Sequence, residues 1–217
     1  MVQAAKRYGR VVQVGLQRRS SIVYRELVNL VGSGRIGKVS VARSYRISNM
    51  WPNGIGREKP TQPPPDLDWD MWLGPRAYRP FQYNIAPYKF RWWKEYSTQL
   101  ANWGVHFFDA IRWMLGEKAP KAVTAVGGKY FVDDDRTIPD TLEVTFEMPS
   151  GTLILFGQYE ANGGRALPHG EIELRGTLAN LYVNQGGYRI VPSPDGQFQH
   201  EEPRTEPAEK LGIKQNT

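Results

Sequence analysis

The sequence predicts an α/β (α+β) protein: the end of an alternating helix–strand–helix unit, followed by a large, open, mostly antiparallel sheet with helices on one face. Three observations lead to this fold class. A short apolar run lies between two stretches of helical character near the start of the chain. A strong helix is predicted at residues 98–115. Six short segments that alternate like strands follow it.

Residues 1–37 predict the first part of this arrangement. Residues 2–8 have the composition of a helix end, and Gly9 follows as its C-cap. The apolar run at 11–14 is typical of a strand buried on both faces of a parallel sheet. Ser20 and Ser21 can cap a second helix, whose apolar residues recur at helical spacing before the glycines of residues 32–37 end it.

Residues 38–192 predict a second unit with a different rhythm. A long strand begins after Lys38, and the Pro- and Gly-rich stretch 49–65 predicts a long irregular loop. Residues 68–73 predict a short helical turn that Gly74-Pro75 stops. After the 98–115 helix, the predicted strands are 122–126, 141–146, 152–156, 171–174, 180–183 and 188–191. The remaining residues, 193–217, form a polar, Pro- and Glu-rich tail.

Composition excludes several classes of function. The hydrophobic share of 40% is that of a folded globular protein, and no apolar run reaches the roughly 20 residues that span a bilayer. Disulfide and thiolate chemistry are excluded because the chain has no cysteine. The net charge of +6 comes from scattered Lys and Arg, which argues against a nucleic-acid interface. The start has no apolar segment typical of a secretory signal, and the cellular location is left open.

His106 is the strongest candidate for proton transfer, because imidazole titrates near neutral pH. Asn102 and His106 are four residues apart on the predicted helix, so they share a face, and Asp109 lies within reach. Gly104 between them would let a ligand or another backbone come close. The alternative is a core histidine satisfied by a neighbouring carboxylate or carbonyl.

Two further segments could contact a ligand. The stretch around Arg91 and Trp93 is aromatic and cationic, which suits a polyhydroxylated substrate and equally suits ordinary packing. Gln17, Arg18 and Arg19 follow the predicted parallel strand, and ligands in open α/β sheets bind outside the carboxyl ends of strands. A solvated surface is the alternative for these arginines.

Other patterns carry less weight. Residues 32–37 spell GxGxxG, but they end a helix instead of opening one after a strand, so they do not predict a dinucleotide site. No cluster has the spacing of metal ligands. The acidic run at 133–135 is interpreted as a solvated turn.

Together, these segments resemble the Gfo/Idh/MocA oxidoreductases, named for glucose–fructose oxidoreductase and inositol dehydrogenase. Residues 4–19 resemble the last helix and strand of the family's dinucleotide-binding Rossmann domain. Residues 100–109 resemble its signature helix, in which Asp-x-Gly-x-His-x-x-Asp is usual and Asn102 replaces the first Asp. Residues 171–177 resemble a strand and Gly-Thr turn of its C-terminal sheet, and 67–75 are typical of one branch. The implied domains are a Rossmann remnant at 1–37 and a substrate and oligomerisation domain at 38–192.

The resemblance implies an NAD(P)-dependent oxidoreductase that acts on a sugar, cyclitol or sugar derivative. The glycine-rich loop and the Glu-Lys-Pro motif of such enzymes belong upstream of Met1, and Glu58-Lys59-Pro60 lies in a later loop. We therefore expect a fragment without turnover of its own. The implied roles are acid/base for His106, with Asn102 beside it; substrate binding for Arg18, Arg91 and Trp93, with Asp109 fixing the helix or the imidazole; and cofactor binding for Gln17 and Arg19.

Two alternatives stay open from the sequence. One is a glycosidase that uses bound NAD for transient oxidation, which some similar proteins perform. The other is a non-catalytic ligand-binding or oligomerisation domain. The expected partners are a small carbohydrate and a second copy of the chain through the C-terminal sheet, without nucleic acid or membrane. The choice between NAD and NADP is not determined.

Overall fold

A mixed β-sheet organises the chain in the computed structural model, which describes residues 1–194 and the two residues 210–211. Its strand order is β2-β3-β4-β1-β5-β6-β7-β8. The β1–β4 pair is parallel and every other pair is antiparallel, which confirms the mostly antiparallel prediction. The bounds are β1 Val39–Ile47, β2 Ala122–Gly128, β3 Thr141–Glu147, β4 Leu153–Tyr159, β5 Ile172–Gly176, β6 Ala179–Asn184, β7 Gly187–Pro192 and β8 Lys210–Leu211.

The six strands predicted after residue 120 correspond to β2–β7. Most of the predicted polar tail, including His200, lies outside the described residues. Alternation of apolar side chains produces one buried face, because successive residues of a strand point to opposite sides. Ala42 of β1 lies opposite Ile154 of β4 and Leu174 of β5, and all three belong to the main hydrophobic core.

Helices cover that buried face, as predicted. The helices are α1 Val2–Arg7, α2 Ile22–Gly32, α3 Trp69–Leu73 and α4 Val105–Leu115. Shorter helical turns lie at Gln17–Ser20, Lys89–Trp92 and Leu100–Gly104. Helices α2 and α4 pack against each other and supply Leu27 and Ile111, both fully buried, to the main core. No helix among residues 1–194 is both long enough and apolar enough to cross a membrane.

The prediction of a buried strand at 11–14 is wrong in this structure. These residues lie outside every described strand, and Val11 is fully exposed. Helix α1 buries none of its residues. A strand buried on both faces requires neighbouring strands, and none of the described strands pairs with this segment. The division at residues 37 and 38 stays a prediction.

The predicted 98–115 helix consists of two consecutive helical segments of different type. Its first turn, Leu100–Gly104, is a π-helix, and the α-helical part begins at Val105. A Cβ on Gly104 would lie 2.8 Å from Leu100 Cδ1 and 3.4 Å from Phe156 Cε2. Gly104 therefore lets this turn approach side chains of its own helix and of the sheet, where the sequence suggested a ligand or another backbone.

A second hydrophobic cluster lies under the irregular loops. Ile55 of the 49–65 loop packs there with Trp69, Phe81 and other buried aromatic side chains. The predicted turn at 68–73 is helix α3, and the Asp68 side chain caps it by accepting from Met71 N at 2.9 Å. The aromatic region between α3 and the π-turn therefore contributes largely to packing.

Candidate functional site

The turn Gln17–Ser20 is attached to α4 by Arg19. Its Nε and Nη2 donate to the two carboxylate oxygens of Asp109, each at 2.8 Å. The guanidinium also lies 5.1 Å from the ring centroid of Trp113. Because both oxygens of Asp109 are occupied, this carboxylate fixes the turn to the helix, and the same bonds occupy Arg19, the predicted cofactor contact. Gln17 is exposed at the start of the turn.

Arg18 is buried, in contrast to the exposed surface that one interpretation of the sequence suggested. It is 3% exposed, donates to Tyr24 Oη at 2.9 Å and pairs with Glu171 at 2.9 Å. Its guanidinium lies 4.8 Å from the ring centroid of Phe107. Burial raises the pKa of Tyr24 to about 12, so its hydroxyl stays neutral. The buried guanidinium of Arg18 therefore places a positive charge next to α4.

His106 lies beside this charge. Its side chain is partly exposed, and its Nδ1 is buried without a hydrogen-bond partner among the described residues. Burial lowers the pKa of His106, the positive charge of Arg18 lowers it further, and Asp109 opposes them. The imidazole is therefore neutral near pH 7, the form that accepts a proton. The alternative of a histidine satisfied by a neighbouring group does not describe Nδ1.

Asn102 belongs to the π-turn that precedes His106. Its backbone N–H donates to Thr98 O at 2.8 Å, and its partly exposed side chain makes no hydrogen bond within the described part of the chain. Single π-helical turns inside α-helices occur frequently at functional sites. The sequence identified both residues but gave no signal of the π-turn that presents Asn102.

Arg91 and Trp93 lie in the aromatic region. The Trp93 indole is buried in the second cluster and donates to Asn84 O at 2.7 Å. Arg91 donates to Tyr88 O at 2.8 Å, and its guanidinium lies 4.1 Å from the Tyr88 ring centroid. No hydrogen bond, ion pair or ring contact in residues 1–194 joins either side chain to His106. Trp93 therefore packs in the second cluster, and its part in substrate binding stays a prediction.

The acidic run at 133–135 is only partly solvated, which corrects its interpretation as a solvated turn. Asp133 is exposed and pairs with Arg57. Asp134 is 1% exposed and accepts from Arg136 and from the backbone N–H of Ile55. Within residues 1–194 no group of three or more acidic or histidine side chains is placed to hold a metal ion.

A cavity of about 220 Å³ opens beside Phe107. Trp103, Tyr45 and Arg46 line it together with the loop around Arg165. Sequence analysis missed this group, because its members come from β1, the π-turn and a loop far apart in the chain. The aromatic residues before and after His106 were the one available signal.

The fold and a match of the sequence to a family model together place the chain in a class of oxidoreductases. Residues 23–165 match the model described as the oxidoreductase family, C-terminal alpha/beta domain. The chain belongs to the Gfo/Idh/MocA oxidoreductase family. No curated protein sequence matches it.

Solved structures share this fold at low sequence identity. An inositol dehydrogenase homolog from Azotobacter vinelandii, complexed with NADH and myo-inositol, has a TM-score of 0.59 at 14% identity, over 97% of this chain and 44% of that one. A levoglucosan dehydrogenase complexed with NADH has a TM-score of 0.57 at 13% identity, over 94% and 47%. A super-repressor mutant of Gal80p from Saccharomyces cerevisiae has a TM-score of 0.54 at 15% identity, over 83% and 42%. The aligned part of each is less than half of its length.

Proposed function

We propose that this chain carries the substrate side of an NAD(P)-dependent oxidoreductase that acts on a sugar, cyclitol or sugar derivative. The observation that carries the proposal is His106, a neutral imidazole with an unpartnered buried Nδ1 beside a buried arginine. Family membership and the complexes of two neighbours with NADH support the redox chemistry. The myo-inositol in one of them supports a cyclic polyol as substrate.

The described residues fit only part of a dinucleotide site. Their one GxGxxG sequence ends α2 at Gly32, so no glycine-rich turn between a strand and a helix is present to cradle a pyrophosphate. In the proposal, NAD or NADP accepts or supplies the hydride and is held largely by residues outside this part of the enzyme. Of the two predicted cofactor contacts, Gln17 is exposed at the turn beside α4 and stays available to the cofactor, whereas Arg19 is bonded to Asp109.

His106 moves the hydroxyl proton in the proposed reaction. During oxidation the neutral imidazole accepts the proton from the substrate hydroxyl while the carbon loses hydride, and during reduction it returns the proton. The charge of Arg18 disfavours the imidazolium, which keeps the base form available, and the carboxylate of Asp109 limits that effect. Asn102, an amide, can hydrogen-bond a substrate hydroxyl but cannot relay a proton.

Arg18 and Asp109 are positioning residues in this proposal. Arg18 is buried and Asp109 is occupied by Arg19, so neither requires contact with the substrate. Arg91 is left as a substrate contact only if the substrate extends to the aromatic region. The chemistry near His106 is therefore assigned to His106 and Asn102.

We also propose that copies of the chain associate through the sheet face opposite α2 and α4. By strand alternation that face carries Val126 and Leu153, which are 72% and 37% exposed. Sedimentation equilibrium should show an oligomer that Leu153→Lys weakens. A monomer at all concentrations tested would contradict this.

The central experiment measures dehydrogenase activity of the intact protein containing these residues, with inositol and a panel of sugars and either NAD or NADP. His106→Asn should lower kcat by about a hundredfold or more, the usual contribution of a general base. Asn102→Ala should mainly raise KM, because it removes a hydrogen bond to bound substrate. Asp133→Asn, an exposed change in the loop at 133–135, is the matched control.

The results separate the rival functions. An unchanged kcat in His106→Asn would sink the acid/base role. Release of free sugar without net NADH would indicate the glycosidase. Binding of sugar without turnover would indicate a ligand-binding domain, a possibility that the fold alone leaves open because one fold can host many functions.

A further inference from the structure

The cavity beside Phe107 has the features of a small-molecule site. Its volume of about 220 Å³ is below the roughly 300–1,000 Å³ of pockets for drug-sized ligands, so it suits one sugar ring or part of one. Trp103, Phe107 and Tyr45 supply aromatic walls. Trp103 and Phe107 stack with 6.3 Å between ring centroids. His106 does not line the cavity, but it directly precedes Phe107 and lies near Arg18, which pairs with Glu171 of the cavity wall.

The charges that line the cavity are positive. Glu171 is its acidic member, and its charge is compensated by Arg18 at 2.9 Å. Arg46 and Arg165 also line it, and neither has a carboxylate partner within residues 1–194. Two uncompensated cations at the edge of an aromatic cavity favour an anionic ligand over a neutral one.

Arg46 is prepared to bind an oxyanion. Its guanidinium lies 4.3 Å from the ring centroid of Trp103, which holds the side chain in place. Its Nε is buried and has no hydrogen-bond partner in the described chain, although buried polar atoms are normally satisfied. A planar guanidinium stacked on an aromatic ring matches the two oxygens of a carboxylate or phosphate.

We propose that this cavity binds the oxyanion of an acidic sugar, with Arg46 as its main ligand and Arg165, which is exposed, as the second. The sugar ring packs on Trp103 and extends toward His106. This assignment deepens the proposed function and rests on it for the sugar. The anion itself is argued from the arginines alone. A carboxylate and a phosphate ester share the required chemistry.

The test is calorimetric titration of the 217-residue chain with glucuronate, glucose 6-phosphate and glucose. At least one acidic sugar should bind about tenfold more tightly than glucose, the expected contribution of a charged hydrogen bond. Arg46→Gln should remove that preference and leave glucose affinity unchanged. Arg165→Gln, at an exposed position, should reduce the preference without affecting folding. Arg57→Gln, another exposed arginine, is the control and should change nothing.

The arms of the titration distinguish the sources of the anion. Tighter binding of glucuronate identifies a carboxylate, and tighter binding of glucose 6-phosphate, displaced by inorganic phosphate, identifies a phosphate ester. Equal affinity for all three sugars, or an equal loss of all three in Arg46→Gln, would overturn the proposal. Because binding is measured without turnover, it can stand if the oxidoreductase assay fails. It can also fail while neutral sugars are still oxidised.

Discussion

Two groups of arginines and carboxylates show how the same side chains serve packing in one place and chemistry in another. Under the aromatic loops, Arg136 pairs with Asp134 at 2.9 Å and with Glu160 at 2.6 Å, and all three side chains are fully buried. Beside α4, Arg19 pairs with Asp109 at 2.8 Å while 46% exposed. The first group is enclosed by protein and the second faces solvent.

The carboxylate oxygens of the buried group all have partners, whereas the side-chain oxygens of Gln99 and Gln158 have none in the described chain. Glu160 accepts from Gln99 at 2.6 Å, from Trp92 at 3.0 Å and from Gln158 at 3.1 Å, in addition to Arg136. Burial raises the pKa of Glu160, and Arg136 and these donors oppose the rise. The group connects β4 with the aromatic loops and with Gln99, directly before the π-turn. Its many internal bonds leave no oxygen of Glu160 for a ligand.

Around the exposed Arg19–Asp109 pair, other side chains near α4 have nitrogen atoms without partners. His106 Nδ1 and the Nε atoms of Arg18 and Arg46 are buried yet unbonded in the described chain. Leaving such atoms unpaired costs about 1–3 kcal/mol each. Because amide oxygens are also unpaired in the buried group, the surface at α4 differs in the kind of atom: its unpaired nitrogens include those of the partly exposed His106 and of Arg46, which lines the cavity.

Replacing Arg136 should have the largest effect on stability. Arg136→Met leaves the Glu160 carboxylate buried without its cation and leaves Asp134 with Lys129 at 3.7 Å, so we expect a loss of about 3–5 kcal/mol of unfolding free energy. Urea denaturation followed by tryptophan fluorescence measures it. Arg57→Met, which removes an exposed cation paired with Asp133 from the same loops, is the control and should change stability little. A small loss in Arg136→Met would show that water reaches these carboxylates.

The sequence predicted the elements well and the contacts poorly, for a physical reason. The patterns that identify a strand or a helix are local, so β1–β7, α2 and α3 were predicted within a few residues, and α4 was predicted as one helix with the π-turn before it. Arg19 and Asp109 are 90 residues apart, and Gln99 and Glu160 are 61 apart, so no periodicity relates them. The prediction of a strand at 11–14 was wrong because apolar character predicts burial, whereas burial also requires neighbouring strands. None of the described strands pairs with this segment.

The candidate site was predicted in composition but not in roles. The apolar residues identified the helix, the proton chemistry of imidazole singled out His106 on it, and the resemblance strengthened that choice. That Arg18 would be buried, that Asp109 would be occupied, and that Arg46 would be unpaired depend on how β1, α4 and the Gln17–Ser20 turn pack together. These contacts are set by tertiary structure.

Removing either charge beside His106 should shift the pKa of the imidazole, in opposite directions and with an effect of intermediate size. Arg18→Met should raise the pKa of His106, because it removes a nearby positive charge, and Asp109→Asn should lower it. Arg18→Met should also cost about 1–3 kcal/mol of stability, because the buried Tyr24 hydroxyl loses its partner. NMR titration of the His106 ring protons measures both shifts. Asp133→Asn, which removes an exposed carboxylate elsewhere, is the control, and equal shifts in both variants would contradict the assignment.

The smallest expected effect is a pH dependence of stability that belongs to His106. The folded pKa lies below the ordinary value of 6.5, so the unfolded chain binds more protons as pH falls through 6.5. Stability is therefore lost from about pH 6.5 down to the folded pKa, and no further below it. Urea midpoints at pH 8 and pH 5.5, compared between the native chain and His106→Asn, isolate this effect because every other titrating group is common to both. The native chain should lose more stability than the variant. An equal loss would mean that the imidazole is as easily protonated in the fold as in the unfolded chain, and burial and the charge of Arg18 would then not be what favours the neutral base in the proposed reaction.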